Sequence, residues 1–336
     1  MLKDIVTCPD LASRRWISEQ LDHLVMNNTV VRPGGDAAVI RVLETNKALA
    51  MTVDCTPRYC LAAPEIGGAQ AVAEAWRNLI ATGAKPLAIT NNMNFGNPER
   101  PKIMGQFVGC IKGMRDACLR LDFPVVSGNV SLYNETDGKA IMPTPVIGGI
   151  GLLDNASNHI TIDLKGADET IVSIGMLTGW LGQSLYLREL FGQETGAPPP
   201  INLDEEKLNG DFILRMIEGK YVTACHDISD GGLLVAITEM AFSAIVKGKK
   251  LGVEIINTAE LDPFAFYFGE EQARYIVTTV NPEKLLEMAQ KAGVVANIIG
   301  KTTSNGQLLL PDNCSVPLEE LYSKHDNWLP EYMLGA

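Results

Sequence analysis

Two strand-like runs that end in small polar residues, with a helical pattern between them, most constrain the fold of this chain. Residues 86–90 lead into Asn91-Asn-Met-Asn94, and residues 124–126 lead into Ser127-Gly-Asn-Val-Ser131. Residues 101–121 carry the helical pattern. Small amide and hydroxyl side chains do not build a core, but they tolerate tight turns and offer hydrogen-bonding groups to a ligand. The pattern predicts that both strands break into polar loops, which share one site at one edge of a sheet.

Strand patterns alternate with helical patterns along both halves of the chain, which predicts mixed α/β or α+β structure. The first half is predicted to have strands at 37–42, 48–53 and 145–152 and a helix at 68–82. The second half is predicted to have strands at 170–174, 253–256, 275–280 and 294–299 and helices at 182–191, 204–218, 232–244 and 282–292. A polar stretch at 154–159 suggests a domain boundary. We therefore predict a lead-in helix at 1–30, a first domain at 31–155, a second domain at 156–311 and a C-terminal tail at 312–336.

Length, charge and cysteine content narrow the class of protein. The 336 residues are enough for two cores, and the net charge of −12 argues against a nucleic-acid binder. The seven cysteines form no C-x-x-C pair, so neither a zinc site nor a disulfide framework is expected. No apolar run reaches the roughly 18 residues that span a bilayer, and the N-terminus has no apolar signal segment. These features predict a cytoplasmic protein without a membrane partner.

Four dispersed residues carry the oxygen ligands that Mg²⁺ prefers. Asp54 ends a predicted strand, Glu74 and Asn78 are four residues apart on one helix face, and Asp227 follows a histidine. Taken singly, each of them is more simply interpreted as an ordinary cap or surface group. Sequence alone does not join the four into one site.

Two predicted helix starts contain glycine and could bind phosphate. One is the segment His226-Asp-Ile-Ser-Asp-Gly-Gly232, where Ser229 and Asp230 could instead simply cap the helix. The other, Gly182-Gln-Ser184, is a weaker signal, because no Walker loop is present.

The other ionisable or nucleophilic side chains show no pattern that indicates a catalytic role. Glu271 and Arg274 are interpreted as a structural i, i+3 helix pair. His226 has no identifiable partner for a general base. Cys60 and Cys225 have no evident activating neighbour, so a nucleophilic role is not expected.

Taken together, six segments resemble the phosphoribosylformylglycinamidine synthase family, in its synthetase subunit of the small, multi-subunit type. They are residues 33–39, 52–59, 88–98, 127–135, 224–233 and 268–275. The resemblance spans nearly the whole chain but covers only the C-terminal half of the family's chain. It implies a two-domain unit like aminoimidazole ribonucleotide synthetase, with an N-terminal α/β domain and a C-terminal α+β domain.

The resemblance also implies an activity and partners. The family converts formylglycinamide ribonucleotide to the amidine with ATP and Mg²⁺, through a phosphorylated amide oxygen that ammonia attacks. Ammonia comes from a glutaminase subunit, assisted by a small bridging subunit. The catalytic Ser-His-Asn-His-Pro motif of the family's first half is absent, and this chain has residues 54–59, Asp-Cys-Thr-Pro-Arg-Tyr, at the equivalent strand end. We therefore expect this chain to be one half, inactive without the half that carries the catalytic histidine.

Motif by motif, the resemblance implies two ligand sites. Asn91 and Gly128 would contact ATP, Asn129 would meet Mg²⁺, and Ser131 would contact the ribonucleotide substrate. Many family members have Asp at the position of Asn91. Separately, the set Asp54, Glu74, Asn78 and Asp227 matches positions that hold Mg²⁺ around a structural nucleotide in large single-chain relatives.

Two further functions remain open. One is a structural half that binds ADP and Mg²⁺ at the auxiliary site and packs against the first half of the synthetase. The other is a sister enzyme of the same fold that acts on selenophosphate or thiamine monophosphate. An isolated half would also expose the surface that faces the first half, which favours a homodimer.

Overall fold

The computed structural model describes residues 1–256, 260–311 and 314–335 and contains one sheet in each half of the chain. In the first half the elements are α1 (Leu2–Val6), α2 (Arg15–Ser18), β1 (Thr29–Val31), β2 (Ala38–Arg41), β3 (Ala48–Asp54), α3 (Pro57–Ala62), α4 (Pro64–Ala81), β4 (Lys85–Asn94), α5 (Pro101–Leu121), β5 (Val125–Ser131), β6 (Glu135–Thr136), β7 (Lys139–Ala140) and β8 (Thr144–Leu153). Single 3₁₀ turns lie at Val25–Asn27 and Ala156–Asn158.

In the second half the elements are β9 (Thr170–Ile174), α6 (Leu185–Phe191), α7 (Leu203–Glu218), β10 (Ala224–Asp227), α8 (Gly232–Val246), β11 (Gly252–Ile255), α9 (Pro263–Phe268), β12 (Tyr275–Thr279), α10 (Pro282–Ala292), β13 (Ala296–Thr303), β14 (Gln307–Leu310), β15 (Cys314–Pro317) and α11 (Leu318–Leu334). The structure confirms the predicted α/β plus α+β class.

The first sheet has one covered face and one open face. Its strand order is β1-β2-β3-β8-β4-β5, and only β4 and β5 pair in parallel. Alternate residues of β3 and β8 are buried, because α4 packs against one side of the pleat and α5 packs on α4. On the other side Val53 is 72% exposed and Met51 is 37% exposed. We call this second side the open face.

The second sheet has the order β10-β12-β9-β13-β11-β14-β15, and its core joins that of the first half. Trp76 and Leu79 of α4 belong to the same buried cluster as Phe212 of α7 and Val277 of β12. A second cluster surrounds α8, which is buried on most sides, and includes Ile5 of α1. Because one hydrophobic cluster spans both sheets, the structure holds the two halves together through a shared core.

The prediction of one lead-in helix at 1–30 is wrong. Only two short helices form, and Pro9 follows the first of them. Ile17 and Leu21, from the stripe that suggested the helix, are 47% and 65% exposed, so no core stabilises a longer helix here. Residues Thr29–Val31 instead form the first strand of the sheet.

The segment predicted as a C-terminal tail is part of the second half. β15 pairs with β14, and α11 packs on α8, where Tyr322 contacts Phe242. Residues 312–313 and 336 of that segment lie outside the described residues. Among the described residues, no helix combines the length and the apolar composition that a membrane crossing requires.

Asp163 anchors the segment that joins the two sheets. Its carboxylate accepts hydrogen bonds from Nζ of Lys165, at 2.6 Å, and from Nζ of Lys247 just after α8. Burial opposes ionisation, but these hydrogen bonds prevail and hold the pKa of Asp163 below its usual value of 3.8.

We expect Asp163→Asn to lower the free energy of unfolding by about 1 kcal/mol at pH 7, because both lysines lose a charged acceptor. The depressed pKa means that the wild-type advantage is present above pH 4 and is lost as the pH falls through the folded-state value. Urea unfolding at pH 7 and pH 3 measures this difference. A gap between the two proteins that widens at pH 3 would contradict the assignment.

Candidate nucleotide and cation site

The two Asn- and Gly-rich segments lie side by side at the edge of the first sheet, as the sequence predicted. They continue the strands and do not break into loops, so that part of the prediction is wrong. The parallel register of β4 and β5 pairs Asn91 with Gly128, Asn92 with Asn129, and Asn94 with Ser131. The small polar residues remain extended because their backbone groups join the ladder at the strand edge.

Strand alternation divides these residues between two faces. Asn91 and Gly128 share the covered face with Ile89, while Asn129 and Ser131 share the open face with Asn92. The four predicted ligand residues therefore lie on both faces of the sheet at its edge, which is formed by β5. A ligand that contacts all four must pass over this edge.

A cavity of about 560 Å³ lies on the covered side of this edge, between α5 and the two strands. Its lining is mostly apolar and includes Met93, Phe107 and Val130, with Asn91 at one wall. Gly128 lies against Asn91 so closely that an added Cβ would stand 2.1 Å from Asn91 Oδ1. The absence of a side chain at Gly128 thus lets the amide of Asn91 lie flat along β5.

On the open side, side-chain hydrogen bonds join Asn129 to Asn92 and Ser131 to Asn134. Nδ2 of Asn129 donates to Oδ1 of Asn92 at 2.9 Å. The hydroxyl of Ser131 donates to Oδ1 of Asn134 at 3.2 Å, and Nδ2 of Asn134 donates to the carbonyl of Phe95 at 3.0 Å. Sequence reasoning quoted Asn92 and Asn134 within the motifs but assigned them no role.

The predicted auxiliary cation ligands lie around the C-terminal half of α4, on the covered face. Asp54 ends β3, and its carboxyl group interacts electrostatically with that of Glu74 on α4. Nδ2 of Asn78 lies 3.5 Å from the hydroxyl of Thr52 on the same strand. Burial raises the pKa of Asp54 well above its usual value, and the charge of Glu74 adds to this effect. Burial raises the pKa of Glu74 to about 8, although Arg77 opposes it.

Arg77 connects Asp227 to this cluster. It is fully buried, with Nε 3.3 Å from Asp227 and Nη1 3.0 and 3.1 Å from the two carboxylate oxygens of Glu206. Its Nη2 lies 3.7 Å from Glu74. One guanidinium thus faces three carboxyl groups, and sequence reasoning missed it because its partners lie 129 and 150 residues away.

The residues present fit a divalent cation. The pKa values of Asp54 and Glu74 are both raised, and Glu74 shares its one close cation, Arg77, with Glu206 and Asp227. Among the described residues, Oδ1 of Asp54 is buried without a hydrogen-bond partner. Carboxylate and amide oxygens at such a place are the donors that Mg²⁺ takes. A bound cation would lower both pKa values and satisfy the unpartnered oxygen.

The two helix starts predicted to bind phosphate are occupied by an internal carboxylate. Oε1 of Glu270 accepts hydrogen bonds from the backbone N–H groups of Leu185 and Gly231, at 2.8 and 2.7 Å. Its other oxygen, Oε2, accepts from Arg58 Nη2 at 3.0 Å and from the hydroxyl of Tyr59. The prediction of phosphate at these positions is therefore not supported by the geometry.

Several local predictions near these helices need correction. Asp230 does not cap α8, because its carboxylate pairs with Arg58 at 2.5 Å. Ser229 does not cap α8 either, since the N-cap residue is Gly231. Glu271 and Arg274 do form an ion pair, at 2.6 Å, but in a loop and not in a helix.

His226 has partners that the sequence did not reveal. Nδ1 lies 2.6 Å from Asp36, and Nε2 lies 3.2 Å from Glu239. Burial alone would lower the pKa of His226, but Asp36 and Glu239 hold it well above its usual value. The imidazole thus links Asp36 of the first half to Glu239 of the second half.

The comparisons agree with this geometry at the level of the family. Residues 34–153 match the model of the AIR synthase related protein, N-terminal domain, and residues 167–310 match that of the C-terminal domain. The chain is 54% identical over 337 residues to phosphoribosylformylglycinamidine synthase subunit PurL of Bradyrhizobium sp. strain BTAi1. It is 55% identical over 338 residues to the same subunit of Rhodospirillum rubrum. The matches cover 100% and 98% of this chain and 45% of each relative.

Solved structures give the same fold at low sequence identity. Thermotoga maritima PurL complexed with FGAR superposes with a TM-score of 0.73 at 18% identity, over 96% of this chain and 52% of that one. AaThiL complexed with AMPPCP and TMP gives a TM-score of 0.62 at 20% identity, over 92% and 96%. The chain spans about half the length of the phosphoribosylformylglycinamidine synthase subunits that it matches, and it belongs to the AIR synthase related family.

Proposed function

We propose that this chain forms one wall of an ATP-dependent ligase site that converts formylglycinamide ribonucleotide to the amidine. The observation that carries the proposal is the parallel register of β4 and β5, which aligns Asn91, Gly128, Asn129 and Ser131 along one sheet edge. A nucleotide is long enough to pass over such an edge, with its base on one side and its phosphates on the other.

The two sides of the edge suit different parts of that ligand. The cavity beside Asn91 is largely apolar and has the size of a small-molecule pocket, which suits a purine base. The amide and hydroxyl groups of Asn129 and Ser131 on the open face suit phosphates, a cation and the ribonucleotide. A divalent cation at Asn129 would neutralise charge on the transferring phosphoryl group.

We expect the activity to need a second synthetase half that completes the site. No Ser-His-Asn-His-Pro segment occurs in the sequence, and the open face on which Asn129 and Ser131 lie is exposed. We expect no turnover when the chain alone receives ammonia, ATP and substrate. Addition of a synthetase half that carries Ser-His-Asn-His-Pro should restore turnover. Robust product formation by the chain alone would contradict the proposal.

Gly128→Ala tests the nucleotide side of the site. The new Cβ would displace the Asn91 side chain, so we expect nucleotide affinity in the assembled synthetase to fall about tenfold. The amide end of Asn91 can move, but its backbone oxygen lies 3.1 Å from the new Cβ, so the free energy of unfolding should fall by no more than about 1 kcal/mol. Fluorescent ATP-analogue titration measures the affinity, and urea unfolding provides the control. Unchanged affinity would place the nucleotide elsewhere.

The partners follow from the same exposed surface. We infer that the first half of the synthetase covers the open face, where Val53 and Met51 stand exposed. A glutaminase subunit and a small bridging subunit would supply ammonia to the joined halves in the cytoplasm. Without the first half, a second copy of this chain is expected to cover the face. Sedimentation at micromolar concentration should show a dimer that dissociates when the first half is added.

A structural nucleotide site is the second candidate function, and the unpartnered Asp54 oxygen favours it. We expect ADP with Mg²⁺ at 100 times Kd to raise the free energy of unfolding by about 2.7 kcal/mol. Asp54→Asn should abolish that increase, while Asp154→Asn, at an exposed residue, should retain it. We choose Asp54 because Asp227 also balances Arg77, so its loss would confuse binding with folding. An equal increase in all three proteins would argue against the site.

A further inference from the structure

Asn92 is the closest side-chain partner of the proposed cation ligand. It lies directly opposite Asn129 in the parallel ladder, on the open face. Its Oδ1 accepts the hydrogen bond from Nδ2 of Asn129 at 2.9 Å. No role is predicted for Asn92 from the sequence, although it follows Asn91 in the chain and lies opposite Asn129 in the ladder.

The direction of this hydrogen bond matters for the chemistry. An amide presents a donor NH₂ on one side and an acceptor oxygen on the other. When Nδ2 of Asn129 is used by Asn92, Oδ1 of Asn129 points away, and it accepts no hydrogen bond from any described residue. If Asn92 donated instead, that oxygen would be occupied and the NH₂ group would face the ligand. Mg²⁺ binds oxygen and is repelled by an NH₂ group.

We propose that Asn92 is a positioning residue that orients the Asn129 amide so that its oxygen faces a divalent cation on the open face. This inference rests on the proposed function, because that function places the cation at Asn129. Asn92 would touch neither cation nor substrate. Its effect passes entirely through Asn129.

The surroundings of Asn92 fix its own position. Nδ2 of Asn94 donates to the backbone carbonyl of Asn92 at 3.0 Å and to the carbonyl of Thr144 at 3.3 Å. Asn92 also pairs with Val146 of β8 on its other side. Its backbone is therefore held between two strands, so its side chain offers a fixed acceptor.

Three variants in the synthetase assembled from this chain and its complementary half test the idea. Asn92→Leu has similar volume but no acceptor. Asn92→Asp can only accept, and Nδ2 of Asn92, which it replaces, makes no hydrogen bond among the described residues. Thr90→Val is the matched control, since Thr90 lies two residues earlier on the same strand and the same face. Mn²⁺ bound in the presence of ADP, measured by electron paramagnetic resonance, gives a readout that does not depend on turnover.

We expect Asn92→Leu to raise the Mn²⁺ concentration at half-saturation about five- to tenfold, the scale of one lost hydrogen bond. Asn92→Asp should bind Mn²⁺ at least as tightly as the wild type, and Thr90→Val should bind unchanged. Equal losses in the Leu and Asp variants, or no loss in either, would overturn the inference. Asn129→Leu distinguishes a failure of this inference from a failure of the proposed cation site. If it weakens binding while Asn92→Leu does not, only the inference fails, and if it has no effect, the proposed cation site fails as well.

Discussion

Replacing Arg77 with methionine should lower the free energy of unfolding by about 3–5 kcal/mol. Its guanidinium is fully buried and makes two hydrogen bonds to Glu206 and one to Asp227. Burial already raises the pKa of Glu206, so removal of the cation leaves a buried carboxyl group with no charged partner. Urea unfolding at pH 7 measures the loss.

Two further variants show that the effect comes from unbalanced charge. Arg115→Met removes an exposed arginine that pairs with Asp116, so it should change stability by less than about 0.5 kcal/mol. Arg77→Met combined with Glu206→Leu removes both charges and should recover part of the loss, because buried ion pairs replaced by apolar groups are often tolerated. The loss in Arg77→Met alone should also shrink as the pH falls, since a protonated Glu206 needs no cation. A double variant no more stable than Arg77→Met would refute this explanation.

Gly113→Ala is expected to be the most damaging single-methyl change in the first half. A Cβ at Gly113 of α5 would stand 1.8 Å from the carbonyl oxygen of Glu65 and 2.8 Å from the amide nitrogen of Ala69, both backbone atoms of α4. Because backbone cannot rotate away, the two helices would have to separate. Overpacking of this kind costs about 1–3 kcal/mol or more, against about 1 kcal/mol gained from helix propensity.

Gly105→Ala provides the matched control on the same helix. No atom lies within 4 Å of a Cβ at Gly105, so only the propensity gain applies and the protein should become more stable by about 0.5–1 kcal/mol. We expect Gly113→Ala to show a net loss of about 2 kcal/mol in urea unfolding. Two variants that change stability in the same direction would contradict the close approach of α4 and α5.

The fold was largely predictable because its periodic signals are local. The predicted helix at 282–292 agrees with α10 at both ends, and the predicted strand at 170–174 agrees with β9. The prediction of a lead-in helix was wrong because apolar residues at helical spacing stabilise a helix only when they pack against a core. The strands extended through Asn91 and Gly128 because ladder hydrogen bonds outweigh the turn preference of Asn and Gly when a neighbouring strand is present.

Sequence by itself determined the two-domain class, the neighbouring polar strand ends and, through motif resemblance, the family. Only the tertiary structure decided how these residues are used. Strand alternation put Asn91 and Asn129 on opposite faces of one edge, and Glu270 filled the helix starts that looked like phosphate sites. Arg77 contacts the carboxylates of Asp227 and Glu206, which belong to distant segments of the chain. Local patterns record the period of each element. Burial, charge balance and hydrogen-bond partners depend on segments that lie 37 to 150 residues apart in the sequence, which no local pattern contains.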